Sequence, residues 1–188
     1  LDRVERARLN ELRVEAERRR YVAAHALLRL VVAEMTDRSA YDLAFVATCR
    51  ACGGPHGKPA LAATGEEGPH VNLSHAGDRV VVAVTRAGPV GVDVERHDAT
   101  LFEGFDDIAL STAEWAGIAR LPPRSLPAAR AQSWVRKEAI LKATGQGLTV
   151  PLSDVGVSAP DEPARLLAWR DSPVPVAAVV YGWITGMI

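Results

Sequence analysis

The fold of this chain is decided by the stretch Val90-Gly91-Val92-Asp93-Val94-Glu95. Apolar and non-apolar residues alternate here with a period of two, which predicts a half-buried strand. Successive side chains of a strand point to opposite faces, so the three valines would point into a core. Asp93 and Glu95 would share the other face, about 6–7 Å apart. The stretch therefore predicts a core strand that presents two carboxylates on one face.

A second informative stretch is Trp134-Val135-Arg136-Lys137-Glu138-Ala139-Ile140-Leu141-Lys142, which has helical spacing. Glu138 and Lys142 lie four residues apart and would share one helix face. With Asp93 and Glu95, Glu138 would complete a set of three carboxylates suited to Mg²⁺, and Lys142 could contact a phosphate. A simpler interpretation is an acidic pair that ends a strand and an ordinary Glu138–Lys142 ion pair. Neither stretch decides between the two interpretations by itself.

The composition is ordinary for a soluble globular protein of 188 residues, with 48% apolar and 24% charged residues. Such a chain can bury a core as one domain or as two small, closely packed ones. The formal net charge of −1 gives no general attraction to nucleic acid or to a membrane, so neither is expected as a partner. The charged N-terminus does not resemble a signal peptide, and the uncharged tail from Val174 is too short to span a bilayer. A cytoplasmic location is expected.

The cysteines are Cys49 and Cys52, in a C-x-x-C spacing. A structural zinc site would need a second ligand pair, and the chain has no other cysteine. His56 and His70 could complete a set of four ligands, but their spacing matches no common zinc module. We therefore favour two reduced thiols over zinc.

The periodicity predicts a pseudo-duplicated α+β protein. The spacing of apolar residues predicts helix over residues 1–36. This could be one helix or two with a break near residues 15–17, since no proline or glycine forces a break there. The other predicted helices are 106–110, 112–120, with Ser111 and Glu114 as a capping box, and 128–144, closed by Gly145. The predicted strands are 42–48, 71–75, 80–85 (buried on both faces), 91–95, 154–158, 164–170 and 176–184. Residues 49–69 read as a rigid polar loop, and the long helices 16–36 and 128–144 occupy corresponding places in the two halves.

The stretch Asn72-Leu73-Ser74-His75-Ala76-Gly77 has the residue types of a phosphate-binding turn, in which Ser74, His75 and backbone amides would donate. The alternative is a plain turn in which Asn72 and Ser74 bond their own backbone. A serine hydrolase is excluded, because no G-x-S-x-G elbow occurs. Lys58, in Gly57-Lys58-Pro59, reads by itself as a surface lysine.

Taken in order, these motifs resemble the 4′-phosphopantetheinyl transferase superfamily. They are N-L-S-H-x-G, then G-V-D-V-E, then W-x-x-K-E-A-x-x-K with a trailing G-x-G-L. The likeness is to the large pseudo-dimeric class, the surfactin-synthetase-activating type, and it covers about residues 5–170. G-G-P-H-G-K-P and R-R-R-Y-x-x-x-x-A-L-L-R fit as well. His25 departs from the arginine common at its place in the family helix, so a coenzyme A or packing contact is expected to differ there.

The resemblance implies Mg²⁺-dependent transfer of phosphopantetheine from coenzyme A to a serine of an apo acyl or peptidyl carrier protein, with release of 3′,5′-ADP. Asp93 and Glu138 would be the principal ligands of Mg²⁺, or of Mn²⁺, with Glu95 as a third. Glu138 would also be the base for the serine hydroxyl. Lys142 would neutralise the leaving phosphate. Asp93, Glu138 and Lys142 are thus the implied catalytic residues.

The resemblance also implies where coenzyme A is held. Ser74 and His75 would hold the phosphates of the nucleotide, and Lys58 and Pro59 would line the adenine pocket. The N-terminal helices are rich in arginine, most of which reads as a solvated face paired with glutamates. The candidates for the 3′-phosphate are Arg8, Arg13 and Arg20.

The implied fold has two similar halves related by a pseudo-twofold axis, residues 1–100 and 101–188, each a long helix packed on a small antiparallel sheet. Coenzyme A would bind between them, and the duplication favours a monomer. Carrier selection is expected in residues 97–128 and in the loop 145–147, for polyketide, nonribosomal peptide or fatty acid pathways. The alternatives are a non-catalytic coenzyme A or carrier-protein binding module and a Mg²⁺-dependent pyrophosphate hydrolase.

Overall fold

The computed structural model describes residues 1–49, 51–62, 68–172 and 180–183. The first elements are α1 (Arg3–Glu11), α2 (Glu15–Thr36), β1 (Phe45–Val46), β2 (Ala60–Leu61), β3 (His70–Ala76), β4 (Arg79–Thr85) and β5 (Val90–Asp93). The remaining elements are α3 (Phe105–Ala109), α4 (Thr112–Ile118), α5 (Leu126–Thr144), β6 (Val155–Val157), β7 (Leu166–Trp169) and β8 (Val180–Trp183). Short 3₁₀ turns cover His97–Thr100, Pro123–Ser125, Gly147–Thr149 and Leu152–Asp154. The predicted α+β class is confirmed.

The helix predicted over residues 1–36 is two helices, and the chain turns between α1 and α2. Leu12 and Val14 both have extended backbone, so the helical hydrogen bonding stops there without a proline or glycine. The Arg18 guanidinium donates to the carbonyls of Leu9 (2.6 Å) and Leu12 (3.3 Å). These bonds satisfy carbonyls at the end of α1, which compensates for the interrupted helix.

The first sheet has the strand order β1-β2-β3-β4 and is antiparallel throughout. α2 packs on β3 and β4 over a core that contains Leu28, Val32, Leu43 and Val71. The prediction that 80–85 is buried on both faces is wrong, because these residues are only half-buried. β4 is the outer strand of this sheet and therefore keeps one side open to solvent.

The central strand β5 pairs in parallel with β8, from Val90 with Val180 to Asp93 with Trp183. α5 packs along β5, and β3 and β4 lie against β5 as well. All four residues of β5 are therefore buried, so the prediction of a half-buried strand is wrong. β6 and β7 form an antiparallel pair beside α5. The predicted strand 176–184 lies outside the described residues except for β8, and the division at residue 100 stays a prediction.

α5 ends at Gly145, which has a left-handed backbone (φ 73°), as predicted from the glycine. The Lys137 side chain on this helix is fully buried, and its Nζ donates to Glu114 (2.6 Å) and to the carbonyls of Ala109 (2.6 Å) and Leu152 (3.0 Å). Burial lowers the pKa of Lys137. Glu114 also completes the predicted capping box with Ser111, which is confirmed. Within the described residues, no helix is both long and apolar enough to cross a membrane.

A buried ion cluster ties α1 to α2. The Glu5 carboxylate is 6% exposed and accepts hydrogen bonds from the Asp2 backbone (2.7 Å) and Arg29 Nε (3.0 Å). His25 Nδ1 lies 3.0 Å from the same carboxylate, and its ring stacks on Tyr21. Burial by itself raises the pKa of Glu5, but the hydrogen bonds with His25, the Asp2 backbone and Arg29 outweigh it and lower the pKa to about 2. His25 thus makes a packing contact at the position where it departs from the family pattern.

We expect Glu5→Gln to reduce the free energy of unfolding by about 2–3 kcal/mol at neutral pH. The pKa of Glu5 falls from 4.5 to about 2 on folding, so its contribution is complete above pH 4.5 and is lost as the pH falls toward 2. The difference from the parent chain should therefore shrink in acid. Urea unfolding at neutral and acidic pH measures it. Glu11→Gln is the control, because the ion pair of that carboxylate with Arg8 is exposed. An equal loss of unfolding free energy in Glu5→Gln at both pH values would contradict the lowered pKa of Glu5.

Candidate functional site

Residues from three motifs that are far apart in the sequence line one cavity of about 350 Å³. The motifs are those that contain Ser74, Asp93 and Glu138. The lining of the cavity comprises Leu73, Ser74, His75, Asp93, Val94, Glu95, Trp134, Glu138 and Lys142. Six of the predicted site residues thus face one space. A larger cavity of about 720 Å³ lies elsewhere, between α3, α4 and α5, and contains none of these motifs.

Side chains of β3 hold β5 in place at the cavity floor. Asn72 Oδ1 accepts from the Val92 backbone N–H (2.9 Å), and Ser74 Oγ accepts from that of Val94 (3.4 Å). The Ser74 hydroxyl also donates to Asp93 Oδ1 (2.7 Å). The alternative of a plain turn bonded to its own backbone is therefore wrong, because Asn72 and Ser74 lie within a strand and bond to its neighbour.

Gly91 allows α5 to lie directly on β5. A Cβ at this position would be 1.9 Å from the carbonyl oxygen of Ala139 and 2.4 Å from the backbone nitrogen of Ala143. These atoms belong to the residues that follow Glu138 and Lys142. The close approach of the two backbones therefore places both side chains over Asp93. The strand pattern did not predict this role, although a glycine inside a strand is a known sign of close backbone approach.

Lys142 pairs across the site with Asp93. Its Nζ lies 2.5 Å from Asp93 Oδ1 and 3.0 Å from Ser74 Oγ. Among the described ion pairs there is none between Lys142 and Glu138, so the simple helical ion pair considered above is wrong. The Lys142 ammonium is drawn to the buried Asp93 carboxylate, whose loss of water is offset by the hydrogen bonds from Ser74 and Lys142.

Glu138 has a buried carboxylate oxygen in the site. Its Oε1 is buried without a hydrogen bond within the described chain. Burial is the main reason that its pKa is raised; the negative charges of Asp93 and Glu95 also raise it, while Lys142 opposes them. A carboxylate with a raised pKa and no donor is suited to accept a proton or to bind a cation.

The three carboxylates of the cavity are of the ligand type that binds hard divalent cations. Asp93, Glu95 and Glu138 place hard oxygen atoms on one cavity, and Oε1 of Glu138 accepts no hydrogen bond from the part of the chain that the structure describes. Within the described residues these three do not form a group whose ligand atoms all lie within 4.8 Å of one another. Joint binding of one ion would therefore require side-chain rotation.

The residues predicted to contact coenzyme A include Arg20, His75 and Lys58. Arg20 donates to the Gly77 carbonyl (3.1 Å), just beyond β3. Partial burial, followed by the charge of Arg20, lowers the pKa of His75 at the cavity rim. Lys58, which precedes Pro59, donates to the Ala143 carbonyl (2.6 Å) at the end of α5.

Two arginines of the predicted set are further from this group. Arg8 is exposed and pairs with Glu11 (2.5 Å), and Arg13 is exposed in the segment between α1 and α2. Neither belongs to the lining of the cavity. Trp134 lines it but was assigned no role from sequence. Its spacing of four residues from Glu138 could have identified it, because Trp134, Glu138 and Lys142 share one helix face.

The family model of the 4′-phosphopantetheinyl transferase superfamily matches residues 89–182. The chain is 33% identical over 115 residues to 4′-phosphopantetheinyl transferase psf-1 of Bacillus pumilus, covering 60% of this chain and 47% of psf-1. It is 29% identical over 193 residues to 4′-phosphopantetheinyl transferase HetI of Nostoc sp., covering 95% and 78%. A 4′-phosphopantetheinyl transferase of Bacillus subtilis is 31% identical over 110 residues, covering 57% and 46%. The chain spans about half the length of the two Bacillus relatives.

Proposed function

Since this chain belongs to the 4′-phosphopantetheinyl transferase superfamily, we propose that it moves the phosphopantetheine group of coenzyme A to a serine of an apo carrier protein. The released product is 3′,5′-ADP. The observation that carries the proposal is the cavity, because residues from three distant motifs face it together. A non-catalytic binding module would not need a buried carboxylate without a partner beside a lysine and two further carboxylates.

The phosphates of coenzyme A would be held at the end of the cavity formed by β3. Ser74 offers a hydroxyl, and His75 can donate one N–H while neutral, the form favoured by its lowered pKa. Of the three candidate arginines, Arg20 lies beside His75 and is our choice for the 3′-phosphate. Lys58 and Pro59 would border the adenine.

The divalent cation, Mg²⁺ or Mn²⁺, would be held by Asp93, Glu95 and Glu138. When bound, it would draw charge from the pyrophosphate of coenzyme A and so favour attack at phosphorus. Lys142, which contacts Asp93 in this structure, would turn to a leaving phosphate when Asp93 serves as a cation ligand.

Glu138 is the proposed base. It would accept the proton of the carrier serine hydroxyl as that oxygen bonds to the β-phosphorus of coenzyme A. The bond from this phosphorus to the bridging oxygen breaks, and 3′,5′-ADP leaves with the electron pair. Lys142 would stabilise the charge that develops on the leaving phosphate. The raised pKa of Glu138 makes it a stronger proton acceptor than an ordinary glutamate.

The carrier protein would dock on the segment between β5 and α5. This part of the chain exposes five large apolar side chains: Leu101, Phe102, Ile108, Trp115 and Leu121. Exposed apolar groups of this kind mark surfaces that contact other proteins. The segment overlaps with residues 97–128, where carrier selection is predicted.

Incubation with Mg²⁺, coenzyme A and an apo carrier protein, followed by mass spectrometry of the carrier, tests the proposal. We expect the carrier to gain one phosphopantetheine group, and a chelator to prevent the gain. Tight coenzyme A binding without transfer would favour the non-catalytic module. Breakdown of coenzyme A without a carrier would favour the pyrophosphate hydrolase.

We expect Lys58→Ala to raise the KM for coenzyme A more than it lowers kcat, because the ammonium would contact bound substrate and not the reacting phosphorus. Steady-state kinetics with varied coenzyme A measure both constants. Arg79→Ala, an exposed cation next to the β3–β4 turn, is the control. A fall in kcat with KM unchanged would contradict the role in binding. The unfolding temperature shows whether loss of the bond to Ala143 weakens the fold instead.

A further inference from the structure

The loop between β1 and β2 contains a second group of ligand side chains, outside the cavity. The sulfur atoms of Cys49 and Cys52 and a ring nitrogen of His56 all lie within 4.8 Å of one another. Cys52 Sγ is 3.1 Å from His56 Nε2. Ligands of one tetrahedral zinc ion lie about 3.3–3.8 Å apart, given Zn–N and Zn–S bonds of about 2.0 and 2.3 Å. The three side chains thus need only a small adjustment to surround an ion.

Backbone hydrogen bonds fold this loop into a turn in which the two sulfur atoms lie close together. Gly53 N–H donates to the Cys49 carbonyl (2.8 Å), and Cys49 N–H donates to that of Gly54 (2.8 Å), which closes a tight turn. Gly53 has φ +72°, a conformation that favours glycine. Gly54 N–H points at Cys52 Sγ (3.4 Å).

His56 is held in place by its neighbour. Gly57 N–H donates to the Ala47 carbonyl (2.7 Å), and a Cβ on Gly57 would lie 2.1 Å from the Thr48 carbonyl oxygen. The chain therefore returns to the start of the loop directly after His56. This return brings the imidazole to the cysteines, although three residues lie between it and Cys52. Sequence spacing had favoured two reduced thiols, because it offered no second ligand pair.

We propose that Cys49, Cys52 and His56 form a binding site for a thiophilic divalent cation, with Zn²⁺ the ion that this set of two sulfurs and one nitrogen favours. Three protein ligands leave the fourth tetrahedral position to water or to an external ligand. The ion would brace the loop that leads to Lys58 and Pro59. The site is separate from the carboxylate cavity, so it stands whether or not the proposed transfer reaction is correct.

Metal titration of the full chain, reduced and stripped with a chelator, tests this site. We expect one equivalent of Co²⁺ to produce a thiolate-to-cobalt charge-transfer band and the visible bands of tetrahedral cobalt, and Zn²⁺ to remove them. Zn²⁺ should also raise the unfolding temperature, since a ligand that binds only the folded chain stabilises it. Absence of these bands in the folded, reduced chain would overturn the site.

Two variants and a control sharpen the test. Cys52→Ser and His56→Ala should each weaken Zn²⁺ binding at least about tenfold, since each removes a ligand. His70→Ala is the matched control, because His70 lies on β3 outside the cluster and should leave the affinity unchanged. Equal affinity in His56→Ala and the parent chain would refute the three-ligand site. Recovery of the protein with a Cys49–Cys52 disulfide that Zn²⁺ and a reductant do not reverse would also overturn it.

Discussion

Glu138→Gln is expected to lower the rate of phosphopantetheine transfer by about 10³-fold or more, because it removes a general base worth about 10²–10⁴-fold in typical enzymes and also a cation ligand. Glutamine has nearly the same shape as glutamate, so the cavity and its coenzyme A contacts should survive. Mass spectrometry of the carrier measures transfer, and calorimetry measures coenzyme A binding. Full transfer activity in this variant would eliminate Glu138 as base and ligand.

Stability separates a chemical role of Glu138 from a structural one. Because burial and the nearby Asp93 disfavour the charged carboxylate, the neutral amide should leave the unfolding temperature unchanged or raise it. Lost transfer together with retained stability would therefore be a chemical effect. Glu34→Gln, an exposed change on α2, is the matched control and should alter neither quantity.

Gly91→Ala is expected to have the largest effect on folding, with a loss of more than about 3 kcal/mol, at or beyond the upper end for overpacked cores. The added Cβ would overlap the Ala139 carbonyl oxygen at 1.9 Å and the Ala143 nitrogen at 2.4 Å. Both are backbone atoms, so no side-chain rotation can relieve the overlap. Helix α5 would have to move off β5 and would carry Glu138 and Lys142 away from Asp93. Denaturant unfolding and the transfer assay should both report the loss.

Gly117→Ala is the matched control for this change. Gly117 lies in α4, and a Cβ there would have no atom within 4 Å apart from the neighbouring backbone of its own helix. We expect it to be neutral or to stabilise by up to about 1 kcal/mol, because alanine favours helix. If Gly91→Ala were as stable as Gly117→Ala, the close packing of α5 on β5 would be refuted.

Local sequence patterns predicted much of the secondary structure. Ser111 with Glu114 predicted the start of α4, and Gly145 predicted the end of α5, since a capping hydrogen bond and a left-handed glycine depend on a few neighbouring residues. The break after Leu12 was not predicted, because Arg18 satisfies the exposed carbonyls from beyond the turn. The half-exposure of β4 was not predicted either, because a run of valines does not say which strand lies at the edge of a sheet.

For the site, too, the sequence predicted the residue types but not the contacts between distant segments. The residue types and order of Ser74, Asp93 and Glu138 pointed to one phosphate site, and the cavity brings them together. The partner of Lys142 could not be predicted, since Glu138 on the same helix and Asp93 on another element were both available. The cluster of Cys49, Cys52 and His56 was also missed, because its approach depends on how the loop returns at Gly57.

The sequence by itself determined the α+β class, the long helix that ends at Gly145, and the residues that the site uses. These follow from hydrophobic periodicity, capping residues and the chemistry of side chains, all of which are local. Only the tertiary structure decided that β5 is buried between α5 and the first sheet and that Lys142 binds Asp93. It also decided that a Glu138 oxygen has no hydrogen-bond partner among the described residues. The reason is physical. Burial and close approach depend on which distant segments pack together, and at Gly91 the absence of a side chain allows that packing.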